Sequence, residues 1–169
     1  MHSAYTLRST QKISGSLAQT WAFFSNPNNL FDITPPQLNL IVTSEIAHEA
    51  YPGQLITYTV KPLLGIPLNW ETEITEVDHE KKFTDNQRKG PYNLWHHQHF
   101  FTAIPGGVEM TDFVYYRLPL GLLGNMAHSV FVKAKLKEIF SYRFNKINAL
   151  FGAWPGAELV LQFGSEKWE

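Results

Sequence analysis

Rings and ionisable groups alternate along two neighbouring segments near the middle of the chain. In the first segment, every second position carries a ring: Trp95, His97, His99 and Phe101. In the second segment the corresponding positions are Asp112, Val114, Tyr116 and Leu118. Successive side chains of a strand point to opposite faces, so each set forms one row. Aromatic walls with a few ionisable groups are typical of small-molecule pockets, and the pattern therefore predicts a ligand cavity.

A histidine oriented by a carboxylate can act as a general acid or base near neutral pH. His97, His99 and Asp112 are therefore the candidate catalytic residues, with Tyr116 beside them. The same side chains could instead contact a bound ligand without reacting. They could also form a buried hydrogen-bonded network that only stabilises the sheet. The residues alone leave these three interpretations open.

The His-x-His pair also suggests a metal, because both rings lie on one face of a strand. Asp112 or Asp85 would supply a third ligand, as in a zinc or non-haem iron site. The spacing is common by chance, however, and nothing in the sequence singles out the third ligand. We therefore expect no metal and no other cofactor.

Further candidate ligand contacts flank these two rows. Asp85 and Gln87 share one face of a strand, whereas Arg88 points away and is expected to pair with a surface carboxylate. Gly90-Pro91 is typical of a turn, with Tyr92 packing beside it. Trp70 begins another alternating row, with Thr72 and Ile74. The predicted ligand-contacting residues are Trp70, Asp85, Gln87, Trp95, His97, His99, Phe101, Asp112 and Tyr116.

Composition limits the function classes. The net charge of −1 provides no basic field for nucleic acid, and zero cysteines exclude disulfides and thiolate metal sites. No signal peptide and no run of about 18 apolar residues is visible, so we expect a cytoplasmic protein without a membrane span. The expected partner is a small hydrophobic molecule. The oligomeric state is left open.

Periodicity predicts the elements that position these residues. A strand is predicted over 5–13, short helices over 17–24 and 28–33, and a long amphipathic helix over 125–151. Lys133, Lys135, Lys137 and Arg143 are assigned to its solvated face, and the apolar loops 61–69 and 118–128 are candidate lids or buried connections. Strands with a period of two are predicted over 38–46, 54–60, 68–77, 82–89, 94–103 and 108–118.

This order predicts an α+β helix-grip fold. A curved antiparallel sheet of about seven strands wraps around the long C-terminal helix, with two short helices after the first strand. Residues 1–152 form one domain. Residues 153–169 are interpreted as a tail.

Four segments carry a family resemblance: NPNNLFDITPPQLNL, DNQRKGPYNLWHHQHFF, MTDFVYYRLPLG and FVKAKLKEIFSYR. Together they resemble the START-like (SRPBCC) superfamily and, within it, a bacterial ligand-binding subfamily sometimes labelled cell-division inhibitor. The resemblance extends from about residue 5 to residue 152. It implies a helix-grip fold, like that of the birch pollen allergen, with a cavity between the sheet and the helix.

The resemblance leaves the function open among three classes. The leading expectation is binding of a lipid, isoprenoid or polyketide-like molecule. The first alternative is an enzyme of the cyclase or dehydratase type that uses a histidine acid/base, and the second is a protein-interaction module in cell division or regulation. Fold alone does not choose among them.

Overall fold

The structure is a computed structural model that describes residues 2–45, 47–61, 65–119 and 131–168. Ten main elements follow one another along these residues: β1 (His2–Ile13), α1 (Leu17–Phe24), β2 (Ile41–Val42), β3 (Leu55–Val60), β4 (Leu68–Asp78), β5 (Lys82–Lys89), β6 (Leu94–Ile104), β7 (Gly107–Arg117), α2 (Lys133–Phe151) and β8 (Val160–Trp168). The strands form one eight-stranded antiparallel sheet in the order β2-β3-β4-β5-β6-β7-β1-β8.

The segment after β1 contains one α-helix. Ser16 caps α1 by accepting a hydrogen bond from the Gln19 amide, and the Gln19 side chain accepts from the Ser16 amide in return. The second predicted helix, over 28–33, is replaced by the 3₁₀ helix Pro27–Leu30, which Asn26 caps. A further 3₁₀ helix spans Pro36–Leu38.

The predicted strand 38–46 is much shorter in the structure. The strand itself spans Ile41–Val42, because Leu38 ends a 3₁₀ helix and Asn39 takes a left-handed backbone conformation at φ 46°. The apolar residues Leu38 and Leu40 of this segment are instead buried. Their alternation reflects burial against the core rather than a strand.

Strands β3 to β7 form the predicted meander of hairpins. The β6–β7 hairpin turns at the predicted Pro105-Gly106-Gly107 site, where Gly106 has φ 88°. A Cβ on Gly107 would lie 2.1 Å from the Ile13 carbonyl oxygen, so no larger residue fits there. The turn brings the two rows together: Trp95 pairs with Tyr116, and His99 with Asp112.

The C-terminal segment that we interpreted as a tail contains an eighth strand. Strand β8 pairs antiparallel with β1 from His2 opposite Trp168 to Thr10 opposite Val160. Leu161 and Phe163 pack against a buried cluster that includes Leu7 and Tyr116. Because β8 belongs to the same sheet as β1, this pairing does not support a separate tail over residues 153–169. That the chain forms a single domain stays a prediction.

Helix α2 packs across the sheet through Leu136, Phe140 and Ile147, all of them buried. It ends at Gly152, the predicted position, with φ 89°. The predicted first turns of this helix, together with the candidate loop 118–128 beyond Pro119 and residues 62–64 of the other loop, lie outside the described residues. Within the described ranges, neither helix has the length and apolarity needed to cross a membrane.

Candidate functional site

A cavity of about 250 Å³ lies between the sheet and α2. Its walls are mostly apolar and are formed by the sheet, the helices and the loops. The sheet contributes Ile56, Tyr58, Val60, Trp70, Thr72, Ile74, Phe83, Asp85, Trp95, His97 and His99; the helices and loops contribute Phe23, Phe24, Leu30, Ile33, Leu38, Leu40, Tyr92, Leu136, Ile139, Phe140 and Arg143, among others.

Five ionisable side chains form a polar cluster at the sheet side of this cavity: Asp85, His97, His99, Asp112 and Arg143. Strand register explains how four of them meet. Asp85 on β5 pairs with His97 on β6, and His99 pairs with Asp112 on β7. All four therefore lie on the same face of three adjacent strands. Helix α2, which packs on that face, contributes Arg143.

Two carboxylates and two imidazoles alternate within the polar cluster. His97 Nε2 lies 3.0 Å from Asp112 Oδ1, and His99 Nε2 lies 2.9 Å from Asp85 Oδ2, both with hydrogen-bond geometry. His99 Nδ1 is 2.9 Å from Asp112 Oδ1 but forms no hydrogen bond within the described residues. His97 Nδ1 lies 3.7 Å from Asp85 Oδ2. The two rings are 3.8 Å apart between centroids.

Arg143 connects the polar cluster to the helix. Its Nη1 lies 3.4 Å from Asp112 Oδ1, and its guanidinium carbon lies 5.2 Å from the Phe24 ring centroid and 5.9 Å from that of Phe140. The side chain is only 12% exposed. A cation in this position compensates the buried Asp112 carboxylate and stacks against two aromatic walls.

Burial and neighbouring charges set the protonation of the cluster. Burial alone would raise the pKa of Asp112, but Arg143 and the two histidines outweigh it and lower this pKa well below its usual range. Burial and the adjacent His99 lower the pKa of His97. Burial also opposes charge on His99, yet the contacts with Asp112 and Asp85 together raise its pKa above the ordinary value. His99 is therefore the histidine that carries a proton more readily.

An aromatic group lines the sheet wall of the cavity beside the polar cluster, with the Trp95 ring centroid 6.2 Å from that of His97. The Trp70 ring stacks on Tyr58 at 5.9 Å and contacts Tyr92 at 5.6 Å and Trp95 at 5.5 Å. Burial raises the pKa of Tyr58 and Tyr92, so both phenols stay protonated. Tyr58 also shares a hydrogen bond with Thr72 at 3.0 Å. The Trp70 Nε1 donor is buried and has no hydrogen-bond partner among the described residues.

Five of the nine predicted ligand contacts line the cavity: Trp70, Asp85, Trp95, His97 and His99. The other four lie near it in different roles. Asp112 is buried behind the histidines, and Tyr116 is fully buried beneath Trp95. Phe101 packs on Trp21 at 5.5 Å in the core. Gln87 closes the turn by bonding both backbone groups of Tyr92. Arg88 pairs with Glu73 on the surface, as predicted.

Several lining residues escaped the sequence analysis. Arg143 was assigned to the solvated face of the helix, although it follows Leu136 and Phe140 at helical spacing and so falls on their face. Tyr58 alternates with Ile56 and Val60 in β3, a row that could have been identified as pocket wall. Phe24 lies on α1, where the apolar face gave no sign of a cavity.

Comparison with solved structures identifies the fold. Protein Ms6760 from Mycobacterium smegmatis is 22% identical, with a TM-score of 0.62 over 86% of this chain and 89% of that one. Protein CV1439 from Chromobacterium violaceum is 11% identical, with a TM-score of 0.66 over 88% and 97%. A START superfamily protein from Mycobacterium smegmatis is 9% identical, with a TM-score of 0.64 over 86% and 99%. No family model and no curated protein matches the chain.

Proposed function

We propose that this protein, which has the START-like helix-grip fold, binds a small hydrophobic or amphipathic molecule in the cavity between its sheet and α2. Lipids, isoprenoids and polyketides are the candidate ligand classes. One observation carries the proposal: a mostly apolar cavity has the ionisable side chains of Asp85, His97 and His99 grouped on its sheet wall. Such a cavity suits a ligand with an apolar body and one polar end.

Affinity would come from the apolar walls. Each 100 Å² of apolar ligand surface removed from water contributes about 2.5 kcal/mol, before the costs of immobilising the ligand are subtracted. The stacked rings around Trp70 offer flat surfaces to such a ligand. They need little reordering on binding, because they already pack against one another.

Orientation would come from polar groups at two sites. The polar cluster faces the cavity through Asp85, His97, His99 and Arg143. On the same sheet, beside the polar cluster, Trp70 Nε1 is a buried donor whose hydrogen bond no described residue accepts. A ligand oxygen near Trp70 would satisfy this donor, and a buried donor without a partner costs about 1–3 kcal/mol.

Binding can be tested with the fluorescent probe anilinonaphthalene sulfonate and its displacement by palmitate. Ile139 lines the cavity from α2, so Ile139→Trp fills it and should weaken probe binding at least tenfold. Leu150, 49% exposed on the same helix, provides the control Leu150→Trp, which should bind like the wild type. Equal probe binding by both variants would contradict the proposal, provided that circular dichroism shows both to be folded.

A second candidate function is acid/base catalysis of the cyclase or dehydratase type. It is favoured by the His97–Asp112 and His99–Asp85 pairs, in which carboxylates orient imidazoles at the wall of an apolar cavity. In this function a histidine would remove a proton from carbon beside a ligand carbonyl. Turnover that His97→Gln abolishes while palmitate still binds would distinguish it from simple binding. The protein-interaction alternative depends on the resemblance alone.

A further inference from the structure

We propose that Asp85, His97 and His99 bind one divalent transition-metal ion, such as Zn²⁺, at the wall of the cavity. One donor atom from each residue lies within 4.8 Å of the other two. This site goes beyond ligand binding, because it adds an inorganic component with its own affinity. It also differs from the expectation of no cofactor, because the sequence alone does not single out the third ligand.

The donor distances suit a metal. Asp85 Oδ2 lies 2.9 Å from His99 Nε2 and 3.7 Å from His97 Nδ1. Ligands about 2.1 Å from a tetrahedral zinc ion are separated by roughly 3.4 Å, which falls between these two values. An ion would therefore require these two separations to change by about 0.5 Å or less. It would bind His97 through Nδ1 and His99 through Nε2.

Asp112 provides an independent observation. Its Oδ1 lies 3.0 Å from His97 Nε2 and 2.9 Å from His99 Nδ1, the two ring nitrogens that face away from the proposed ion. Metal-binding histidines almost always donate their other N–H to a carboxylate, a backbone carbonyl or water, which fixes the tautomer and orients the ring. Here the Asp112 carboxylate has hydrogen-bond geometry to His97 and lies within 2.9 Å of His99 Nδ1, and Arg143 lies 3.4 Å from the same oxygen.

The register of the sheet distinguishes the roles of Asp85 and Asp112, which the sequence alone did not. Asp85, His97 and His99 line the cavity, whereas Asp112 lies behind the histidines. Asp85 is thus a ligand and Asp112 a positioning residue. Two imidazoles and one carboxylate suit zinc or iron better than calcium or magnesium, which prefer all-oxygen sites.

Three protein ligands leave open coordination positions toward the cavity. A water molecule, or an oxygen of the bound molecule, would occupy them. If the proposed ligand binding is correct, the ion would act as the polar anchor for the ligand's oxygen-bearing end. The metal site itself does not depend on that ligand and can be tested without it.

The first test measures zinc alone. The full chain is treated with a chelator, dialysed, and titrated with Zn²⁺ in competition with a chromophoric chelator. We expect one ion per chain, and Asp85→Asn or His97→Gln should each weaken binding at least 100-fold. His96 precedes His97 but lies on the other face of β6, beside Asn86. His96→Gln is therefore the matched control and should bind zinc like the wild type.

Two outcomes would overturn the proposal. One is the absence of stoichiometric zinc in the wild type, and the other is equal loss in Asp85→Asn and His96→Gln. Circular dichroism of each metal-free variant identifies any that fail to fold. If zinc does not bind but the fluorescent probe does, this inference falls while the proposed ligand binding stands.

A second measurement does not depend on removing a ligand. Nitrogen NMR of the zinc-loaded wild type should show coordination through Nδ1 of His97 and Nε2 of His99. Asp112→Asn should weaken zinc binding 10- to 100-fold without changing its stoichiometry. Coordination through the opposite nitrogens, or an unchanged affinity in Asp112→Asn, would contradict the assignment.

Discussion

Asp112 is the residue on which most of the polar cluster depends. Its buried carboxylate contacts both histidines and Arg143, yet it does not line the cavity. Taking such a charge out of water is costly, and the three neighbours compensate for that cost. Removing the carboxylate would leave Arg143 buried without its charge partner. Asp112 therefore has a structural role whichever function the cavity serves.

We expect Asp112→Ala to lower the free energy of unfolding by about 3–5 kcal/mol, the typical cost of breaking a buried charge pair. Urea unfolding followed by circular dichroism measures this. Asp78 is a half-exposed carboxylate paired with Lys81 at a turn, so Asp78→Ala should change the free energy by no more than about 0.5 kcal/mol. Similar costs for the two variants would show that the buried cluster contributes little.

Alternation in two segments was enough to predict which residues share the inner face. Trp95, His97, His99 and Asp112 all point toward α2, because strand geometry fixes the direction of each side chain. Which of them reaches the cavity could not be predicted. Access to the cavity depends on how far α2 lies from each strand. Arg143 shows in addition that a charged helix residue can face inward when a buried carboxylate, here Asp112, lies opposite.

At the scale of elements, β8 extends the sheet beyond β1 and covers one end of the core. Phe163 and Leu161 pack against the cluster of Leu7, Val114 and Tyr116. On the other face of the same strand, Val160 is 48% exposed. The contribution of β8 to stability should therefore come from one face only.

Phe163→Ala should lower the free energy of unfolding by about 1–2 kcal/mol, because it exposes part of that cluster and removes a partly buried ring. Val160→Ala, on the exposed face, should cost less than about 0.5 kcal/mol. Chemical denaturation of both variants measures the difference. If the two substitutions cost the same, β8 is an appended strand that does not support the core.

Local patterns predicted β3 to β7 because each hairpin joins strands that are neighbours in the sequence. Strand β8 was missed for two physical reasons. Its alternation is short and ends in the polar run Gly164 to Lys167, and its partner β1 lies at the opposite end of the chain. Pairing over that distance leaves no local signal. The prediction of a second short α-helix was wrong because Asn26 and Pro27 favour a capped 3₁₀ turn.

For the whole molecule, the cavity follows from the way one helix packs on a wide sheet. Helix α2 meets one buried cluster through Leu136 and Phe140 and a second cluster through Ile147. Other side chains of the same helix, among them Ile139 and Arg143, border the cavity. The helix-grip fold thus provides the cavity, and the particular side chains on β4 to β7 give it a polar wall.

The most direct measurement is native mass spectrometry of the protein purified from its own host, compared with the Ile139→Trp variant prepared in the same way. We predict that the wild type carries one small amphipathic molecule per chain, released on denaturation, and that the variant carries none. A wild type without a bound molecule that also fails to bind palmitate would contradict the account.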